Sequence, residues 1–299
     1  MKYLITGGTG FIGRELCQAL LTRNHSLVVL SRSPEKVVTT LGKQVTPLNH
    51  LQDLASSEYF DGIINLAGAP IFGGRWTDKR KRVICNSRIQ ITQDLVEFIA
   101  RSHKKPGVFL SGSAVGFYGD HGDHFVSETS PGYDEFGHRL CVDWEREAEK
   151  ASDQSVRVCL LRTGLVVGKN GGFLKPMILP FKLGLGGRLG SGQQWMPWIH
   201  LHDHISIILH LLEKPTLEGI FNLTSPNPVT NREFTRTLAG ILHRPAFLHI
   251  PAWALNLILG EMSELLLGGQ RAIPTRIQDA GFSFKYPTLD VALQNVLAD

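Results

Sequence analysis

A chain of 299 residues, 42% of them hydrophobic and 19% charged, has the composition of a globular protein that buries a sizeable core. Its net charge of +4 falls short of the excess on one face that nucleic-acid binding requires, so no nucleic acid is predicted as a partner. The most apolar later stretch, 250–269, is interrupted by Glu261, Ser263 and Glu264, so no membrane span is predicted. Four widely spaced cysteines favour reduced thiols, and the expected location is cytoplasmic.

Short apolar runs alternate with helical patterns along the first half of the chain, which is typical of a parallel sheet with crossover helices. Leucine and isoleucine at three- and four-residue spacing predict helices over 11–22 and 77–102. The predicted strands are the nearly continuous apolar runs 2–6, 26–30, 62–66, 107–111, 157–161 and 219–223. The pattern therefore predicts an α/β fold, with a doubly wound parallel Rossmann sheet and a smaller, mostly helical C-terminal lobe.

The alternation of apolar runs and helical patterns ends near residue 164. Residues 168–192 are rich in glycine and are expected to form a loop over a site, whereas Thr230 and Glu233 form a capping-box pattern that begins a helix. We predict a Rossmann domain over 1–165, with sheet contributions from about 195–225. Residues 166–299 would form the substrate lobe and a C-terminal helical region, with the substrate cleft between the two parts.

A glycine-rich turn lies between the first predicted strand and the first predicted helix, where dinucleotide-binding folds hold a pyrophosphate. Glycine allows the turn and a close approach of backbone to phosphate, and the helix N-terminus presents free N–H groups to the anion. The residues predicted to bind the cofactor at this turn are Gly7, Thr9, Gly10, Phe11, Ile12 and Gly13.

The end of the second predicted strand indicates which dinucleotide is bound. An acidic residue there would bind the adenosine ribose 2′-hydroxyl and repel a 2′-phosphate. The chain instead has Ser31, Arg32 and Ser33, with no carboxylate before Glu35, and a guanidinium beside hydroxyls suits a phosphate dianion. The predicted cofactor is NADP(H). A solvated loop charge at Arg32 stays open as the alternative.

These motifs resemble the extended short-chain dehydrogenase/reductase superfamily, which includes nucleotide-sugar epimerases. Beyond the glycine turn, the resemblance rests on Asn65-Leu66-Ala67-Gly68, Ser111-Gly112-Ser113-Ala114 and Trp198-Ile199-His200-Leu201-His202-Asp203. Within the superfamily the chain is most similar to an atypical branch called epimerase family protein, through segments such as Asn86-Ser87-Arg88, Leu161-Arg162-Thr163-Gly164 and Gly268-Gly269-Gln270-Arg271.

The resemblance implies positions for the rest of the cofactor. The 2′-phosphate would lie at Ser31 and Arg32, the nucleoside along the motif that begins at Asn65, and the nicotinamide beside Leu165 and Val166. Beyond the turn, the residues implied to bind the cofactor are Ser31, Arg32, Leu66, Ala67, Gly68, Arg88, Ser111, Leu165 and Val166.

The chain departs from the superfamily in its chemistry. Superfamily enzymes use a tyrosine whose pKa is lowered by a lysine four residues on. The five tyrosines lie at positions 3, 59, 118, 133 and 286, and none is followed by a lysine at that spacing. Alignment on Trp144 and Glu145 places Phe136 at the tyrosine position and Leu140 at the lysine position, and neither can transfer a proton. The usual dyad is absent.

Three other residues are candidates for catalysis: Ser113, Tyr118 and His138. Ser113 would hydrogen-bond a substrate carbonyl, Tyr118 follows on the same loop, and His138 has an imidazole suited to proton transfer near neutral pH. Asp120 and Tyr133 are also local. An ordinary structural role for each stays open.

Two clusters are not predicted to be sites. His200, His202 and His204 with Asp203 resemble metal ligands, but a strand followed by a helix turns them to different faces, so no metal is predicted. The basic run from Lys79 to Arg82 is interpreted as a solvated helix face.

The predicted function is an NADP(H)-binding atypical short-chain dehydrogenase/reductase, an oxidoreductase or epimerase-like enzyme acting on an unidentified small-molecule substrate. The alternative is an NADP(H)-binding regulator without turnover, which the missing tyrosine and lysine favour. The glycine-rich segment over the expected cleft favours the enzyme. No oligomeric state is predicted.

Overall fold

A seven-stranded parallel sheet forms the centre of the computed structural model, which describes residues 1–72, 74–169 and 171–298. Its strands are β1 (Lys2–Thr6), β2 (Ser26–Leu30), β3 (Thr46–Leu48), β4 (Gly62–Asn65), β5 (Val108–Ala114), β6 (Arg157–Thr163) and β7 (Gly219–Leu223). They lie in the order β7-β6-β5-β4-β1-β2-β3, and each neighbouring pair is parallel. The strand order changes direction at β1 and β4, so the ligand crevice of such a sheet lies beyond their carboxyl ends.

Helices flank the sheet and build the C-terminal part of the chain. The α-helices are α1 (Phe11–Thr22), α2 (Pro34–Leu41), α3 (Asp78–Arg101), α4 (Phe136–Glu149), α5 (Lys175–Lys182), α6 (Leu201–Glu213), α7 (Asn231–Ile241), α8 (Ala252–Leu259), α9 (Glu264–Leu267), α10 (Thr275–Asp279) and α11 (Leu289–Leu297). The 3-10 helices are Leu51–Asp53, Val115–Phe117, Lys150–Gln154 and Gly260–Ser263. Short strands outside the sheet are Phe125–Val126, Leu165–Gly168, Gly171–Gly172, Gly187–Leu189, Trp195–Met196, Trp198–His200, Val229–Thr230, Leu248–Ile250 and Arg271–Ala272.

Alternate residues of the strands pack into apolar layers on the two faces of the sheet. Ile5 of β1 belongs to the layer that contains Leu16 of α1 and Ile207 of α6. Its neighbour Leu4 belongs to the opposite layer, with Leu95 of α3. Since both faces are covered, the strands are apolar throughout, which is why they could be recognised as continuous runs. The predicted doubly wound Rossmann fold is confirmed.

The predicted bounds are correct for β1, β2, β7 and α1, whereas β5 and β6 are longer than predicted and β3 was missed. β5 and β6 extend through Ser113 and Arg162, polar residues that end an apolar run in the sequence but are buried in the sheet. β3 has only three residues and contains Pro47. Proline is tolerated there because β3 lies at the edge of the sheet.

The prediction of a loop over 168–192 is wrong, because this segment contains α5 and several short strand segments. Helix α5 has a proline at its start, where a missing N–H costs nothing, and buries Phe181. Gly187–Leu189 then pairs in parallel with Leu248–Ile250. The glycines serve close packing in this segment: a Cβ at Gly187 would lie 2.2 Å from the carbonyl oxygen of Leu248.

The C-terminal part consists mostly of short helices, as predicted, and α7 begins with the predicted capping box. The Thr230 side chain accepts from the Glu233 N–H, and the Glu233 carboxylate accepts from the Thr230 N–H. Within 1–72, 74–169 and 171–298, no helix combines the length and the apolar character that crossing a membrane requires.

Candidate cofactor and active site

The turn between β1 and α1 has the backbone geometry that a bound pyrophosphate requires. Gly7 has a φ of 70°, and a Cβ there would lie 2.5 Å from the Leu66 carbonyl oxygen. A Cβ at Gly13 would lie 2.2 Å from the Gly7 carbonyl oxygen, so no larger residue fits. Gly10 precedes α1 without a side-chain cap, and the first turn of the helix contains no acidic residue. The N–H groups from Phe11 onward and the helix dipole thus face the turn, where an anion fits.

The segment after β4 is held beside this turn by a buried hydrogen-bond network. The Thr6 hydroxyl donates to Asn65 Oδ1 at 2.6 Å and accepts from the Ala67 N–H at 3.2 Å. Asn65 in turn donates to Thr92 on α3 at 2.8 Å. This network fixes Leu66 and Ala67 next to Gly7, so the residues predicted to bind phosphate and nucleoside lie together.

Arg88 lies under the same segment. Its Nη2 donates to the Ala69 carbonyl oxygen at 3.0 Å and its Nη1 to the Ile84 carbonyl oxygen at 3.1 Å. A Cβ at Gly68 would lie 2.9 Å from the guanidinium carbon. Burial lowers the pKa of Arg88 from its ordinary value. The structure therefore places Arg88 against the backbone of the predicted nucleoside segment.

The adenosine end of the predicted site lies at the end of β2. The Ser31 hydroxyl accepts from the Ser33 N–H at 3.2 Å, which shapes the connection to α2. Arg32 is exposed and makes no ion pair with any carboxylate in the described ranges. A guanidinium without an acidic partner can receive a phosphate dianion.

The remaining residues predicted to contact the cofactor are more buried. Ser111 lies inside β5, and its hydroxyl has no hydrogen-bond partner among the residues described. Leu165 is half-buried and Val166 buried in a short strand that pairs with Trp198–His200. Thr9 and Ile12 are half-buried at the turn.

Ser113 belongs to a buried charged network at the end of β5. Its hydroxyl donates to Glu145 Oε1 on α4 at 2.5 Å. Arg162 on β6 binds both oxygens of the same carboxylate, with Nε and Nη2 each at 2.8 Å, and its guanidinium stacks on Phe117 at 3.3 Å from the ring centroid. The proton of Ser113 is directed at Glu145, so its oxygen lone pairs are free to accept a hydrogen bond from another group.

Glu145 and Arg162 were not predicted as site residues, although the sequence carried a signal for them. Arg162 directly follows the apolar run 158–161, and an arginine is almost never buried in a strand without an ionic partner. Only the tertiary structure shows that its partner is Glu145, seventeen residues before it in the chain.

Tyr118 lies in the protein interior, and His138 is only partly exposed. The Tyr118 side chain is fully buried, donates to Asn222 Oδ1 at 2.7 Å, and has a pKa raised by burial. His138 is half-buried, with Nδ1 at 2.5 Å from the Phe117 carbonyl oxygen. Phe136, which the sequence predicts at the position of the family tyrosine, packs edge-on against Trp76 with ring centroids 4.8 Å apart.

An acidic cleft of about 580 Å³ opens beside these residues. Asp120 and Glu135 line one side, and Glu261 and Glu264 of the C-terminal part line the other. Glu135 immediately precedes Phe136, so the cleft begins next to the residue predicted to occupy the position of the family tyrosine. Burial, and then the charges of Glu261 and Glu135, raise the pKa of Glu264. This carboxyl therefore retains a proton at higher pH than an ordinary glutamate.

The two clusters set aside in the sequence have structural roles. His200 accepts from the His202 N–H at the start of α6, Asp203 accepts from the N–H groups of Lys285 and Tyr286, and His204 is buried. No group of three metal-ligating side chains occurs in the part of the chain that the structure describes. In the basic run, Lys81 pairs with Glu261. The run thus contacts the C-terminal part.

Known proteins resemble this chain over its whole length. A profile of the NAD dependent epimerase/dehydratase family matches residues 3–224, and a domain of unknown function, DUF1731, matches 250–296. The SDR39U1 homolog of Arabidopsis thaliana, an epimerase family protein named as chloroplastic, is 38% identical and aligns with 99% of this chain and 87% of its own length. Epimerase family protein YfhF of Bacillus subtilis is 38% identical over 100% of this chain and 99% of its own.

Solved structures show the same fold. The human epimerase family protein SDR39U1, crystallised with NADPH, is 34% identical, has a TM-score of 0.90 and aligns over 99% of both chains. A UDP-glucuronic acid 4-epimerase from Bacillus cereus, in complex with UDP-glucuronic acid and NAD, has a TM-score of 0.76 over 99% of this chain and 98% of its own. Because the Bacillus cereus enzyme is only 19% identical, its similarity to this chain shows the fold alone.

Proposed function

Because the chain belongs to the NAD dependent epimerase/dehydratase family, we propose that it is an NADP(H)-dependent oxidoreductase or epimerase-like enzyme acting on a small molecule. It is an NAD(P)-binding protein of the short-chain dehydrogenase/reductase type. When bound, the cofactor supplies hydride transfer. The protein supplies the backbone cradle at Gly7 and Gly13, a nucleoside segment at Leu66 and Ala67, and a cleft for the second reactant.

The observation that carries the preference for NADP(H) is the unpaired, exposed guanidinium of Arg32 at the end of β2. NAD-specific sites usually place a carboxylate there to bind the ribose 2′-hydroxyl. The bound NADPH of the human relative supports the same choice. Ser31 and Arg32 would hold the 2′-phosphate by charge-assisted hydrogen bonds.

Titration calorimetry with NADPH and NADH tests this preference. One charge-assisted hydrogen bond increases affinity by about ten- to a hundredfold, so NADPH should bind at least about tenfold more tightly than NADH. The double variant Ser31→Asp with Arg32→Ala should erase or reverse the preference, because a carboxylate repels the phosphate. The preference should also shrink as salt is added. Equal affinities of the unmodified protein for the two cofactors would contradict the NADP(H) assignment.

The charge of the cleft restricts the second reactant. Four carboxylates line it, and only Glu261 pairs with a cation among the residues described. Such a surface repels phosphate groups, because like charges at short range are unfavourable. We therefore propose a neutral or cationic substrate, rich in hydroxyl or amino groups, rather than a nucleotide sugar.

We propose that two residues act on the substrate: Glu264, in the lining of the acidic cleft, and Ser113, in the network at the end of β5. Ser113 presents an acceptor oxygen whose orientation is fixed by Glu145, and it would hold a substrate hydroxyl. Glu264 lines the cleft, and burial and neighbouring carboxylates raise its pKa, so we propose that this carboxyl donates the proton in place of the missing tyrosine. Tyr118 and His138 would support the site through packing, since their polar atoms already bind Asn222 and the Phe117 carbonyl.

Turnover can be tested without knowing the substrate. NADPH stereospecifically deuterated at C4 is incubated with the protein and a metabolite extract, and transfer of the label is followed by mass spectrometry. The enzyme should transfer deuterium to a metabolite, and Glu264→Gln should reduce the rate while leaving NADPH affinity unchanged. Lys182→Gln, an exposed change outside the cleft lining, serves as the control.

A second candidate is an NADP(H)-binding regulator that performs no chemistry. The specific observation in its favour is that Phe136, at the position predicted for the family tyrosine, packs against Trp76 and has no group that transfers a proton. If no label leaves NADPH across varied extracts and pH while NADPH still binds tightly, the regulator is the correct function.

We also propose a reducing compartment such as the cytoplasm, which the free thiols of Cys17, Cys85, Cys141 and Cys159 support.

A further inference from the structure

A second cleft, which we call the basic groove, lies in the C-terminal part of the chain between α7 and the strand Leu248–Ile250. Its volume is about 490 Å³, which lies within the range of small-molecule sites. Four arginines line it, Arg188, Arg232, Arg236 and Arg244, together with His249. The described residues that line it include no aspartate or glutamate. It shares no lining residue with the glycine turn or the acidic cleft.

The arginines of the basic groove are not neutralised by the protein. Arg232 and Arg236 lie one turn apart on α7, and like charges at that spacing destabilise a helix. None of the four arginines pairs with a carboxylate within the described ranges. The Arg244 guanidinium donates to the carbonyl oxygens of Lys182 and His243. A concentration of unpaired guanidinium groups in a concave surface indicates an anionic ligand, because planar guanidinium groups match phosphate oxygens in geometry.

An uncharged side chain points to a ligand independently of these charges. Thr235 lines the basic groove from the same face of α7 as Arg232 and Arg236, and the residue is 4% exposed. Its hydroxyl is buried and has no hydrogen-bond partner in the part of the chain that the structure describes. A buried hydroxyl without a partner is unfavourable, and an oxygen atom of a bound ligand would satisfy it.

An exposed aromatic ring indicates more than a bare anion. Phe247 lines the basic groove and is 78% exposed, which is unusual for a phenylalanine. Base–aromatic stacking and arginine–phosphate pairing occur together in nucleotide sites. We propose that the basic groove binds a small phosphorylated molecule with an aromatic ring, of the nucleotide class. Its phosphates would contact Arg188 and Arg236, and its ring would stack on Phe247.

Titration calorimetry with ADP and with inorganic pyrophosphate tests the proposal. The protein is first saturated with NADPH, so that the glycine turn is occupied. Both probes should bind with one-to-one stoichiometry, and ADP should bind more tightly because its base adds the stacking contact. The double variant Arg188→Gln with Arg236→Gln should lose at least about tenfold in affinity for both probes, since each charged contact is worth roughly that factor.

Two further variants assign the contacts. Phe247→Ala should weaken ADP but leave pyrophosphate unchanged. Arg82→Gln, which removes an exposed arginine of α3 outside the basic groove, should change neither affinity. Unchanged NADPH affinity and thermal unfolding in every variant shows that the fold is intact. The proposal is overturned if neither probe binds, if Arg82→Gln weakens binding as much as the double variant, or if single-stranded DNA of twenty nucleotides binds far more tightly than ADP.

Discussion

The glycine turn and the network around Ser113 both lie toward the carboxyl ends of the central strands, but they take their residues from the chain in different ways. The turn is built by consecutive residues, and it functions through backbone N–H groups and the absence of side chains. The network joins Ser113 of β5, Glu145 of α4 and Arg162 of β6, and it functions through side chains alone. The glycine pattern of the turn resembles that of the family, whereas no tyrosine of the chain is followed by a lysine four residues on. A site made of backbone depends on few side chains, so it constrains the sequence differently from a network of side chains.

The largest expected effect is the loss of cofactor binding in Gly13→Val. The new side chain would require the Gly7 carbonyl oxygen to move, because even a Cβ would lie 2.2 Å from it. Moving that carbonyl displaces the turn from the position that a pyrophosphate requires. We expect no measurable NADPH binding by calorimetry, together with a loss of about 1–3 kcal/mol in the free energy of unfolding from overpacking.

Gly240→Ala is the control for this change. Gly240 lies within α7, and a Cβ there would meet nothing within 4 Å. Alanine in the last turn of this helix should stabilise the protein by up to about 0.5–1 kcal/mol relative to glycine, and NADPH binding should not change. Equal NADPH affinity in Gly13→Val and Gly240→Ala would show that close packing at the turn is not needed for the cofactor.

The next largest effect is expected for the buried ion pair. Arg162 is 2% exposed and Glu145 5% exposed, so Arg162→Met leaves a buried carboxylate without its cation. Removing one partner of such a pair costs about 3–5 kcal/mol. Urea unfolding at pH 7 measures this loss. NADPH affinity should change little if the folded state persists, because the turn does not depend on the network.

A double variant separates the uncompensated charge from the loss of packing. Arg162→Met combined with Glu145→Leu removes both charges, and it should recover most of the stability lost in the single variant. If the double variant is as unstable as the sum of the two single variants, the pair contributes through packing and not through charge.

The difference between a structure built by neighbouring residues and one joined by folding explains which parts of the molecule could be predicted from the sequence. The turn, helix α1 and the capping box at Thr230 are encoded by neighbouring residues, and each was predicted correctly. The continuation of β6 through Arg162 and the network at Ser113 depend on residues that meet only after folding. The segment 168–192 was mistaken for a loop because its glycines serve close packing, and glycine indicates a turn equally well.

The third prediction concerns His204, a histidine whose burial could not be predicted from the sequence. Burial lowers the pKa of His204 to about 3, whereas an unfolded histidine has a pKa of about 6.5. Between these values the unfolded chain binds a proton that the folded chain does not, so the free energy of unfolding falls as the pH falls. At pH 5 this one group should cost about 2 kcal/mol relative to pH 7.

Urea unfolding at pH 7 and pH 5 checks this dependence. His204→Gln should show a difference between the two pH values that is smaller by about 2 kcal/mol. His124→Gln, at an exposed position, should keep the difference of the unmodified protein. His200, whose pKa burial lowers to about 4, adds a loss of the same sign. An unchanged pH dependence in His204→Gln would mean that His204 is protonated in the folded protein.

The smallest expected effect is on the capping box at Thr230, which, like the glycine turn, is formed by neighbouring residues. Thr230 accepts from the Glu233 N–H at 3.3 Å, and Thr230→Ala leaves that donor of α7 without this partner. Loss of an N-cap typically costs about 1 kcal/mol, so urea unfolding should show a decrease of that size while NADPH affinity stays the same. Thr237→Ala is the matched control on the same helix, because Thr237 is an interior position where alanine favours the helix. Thr230→Ala is therefore expected to be less stable than Thr237→Ala by at least about 1 kcal/mol. If the two variants are equally stable, α7 is held in place by tertiary packing alone, and a local pattern that is easily read in the sequence contributes nothing measurable to the fold.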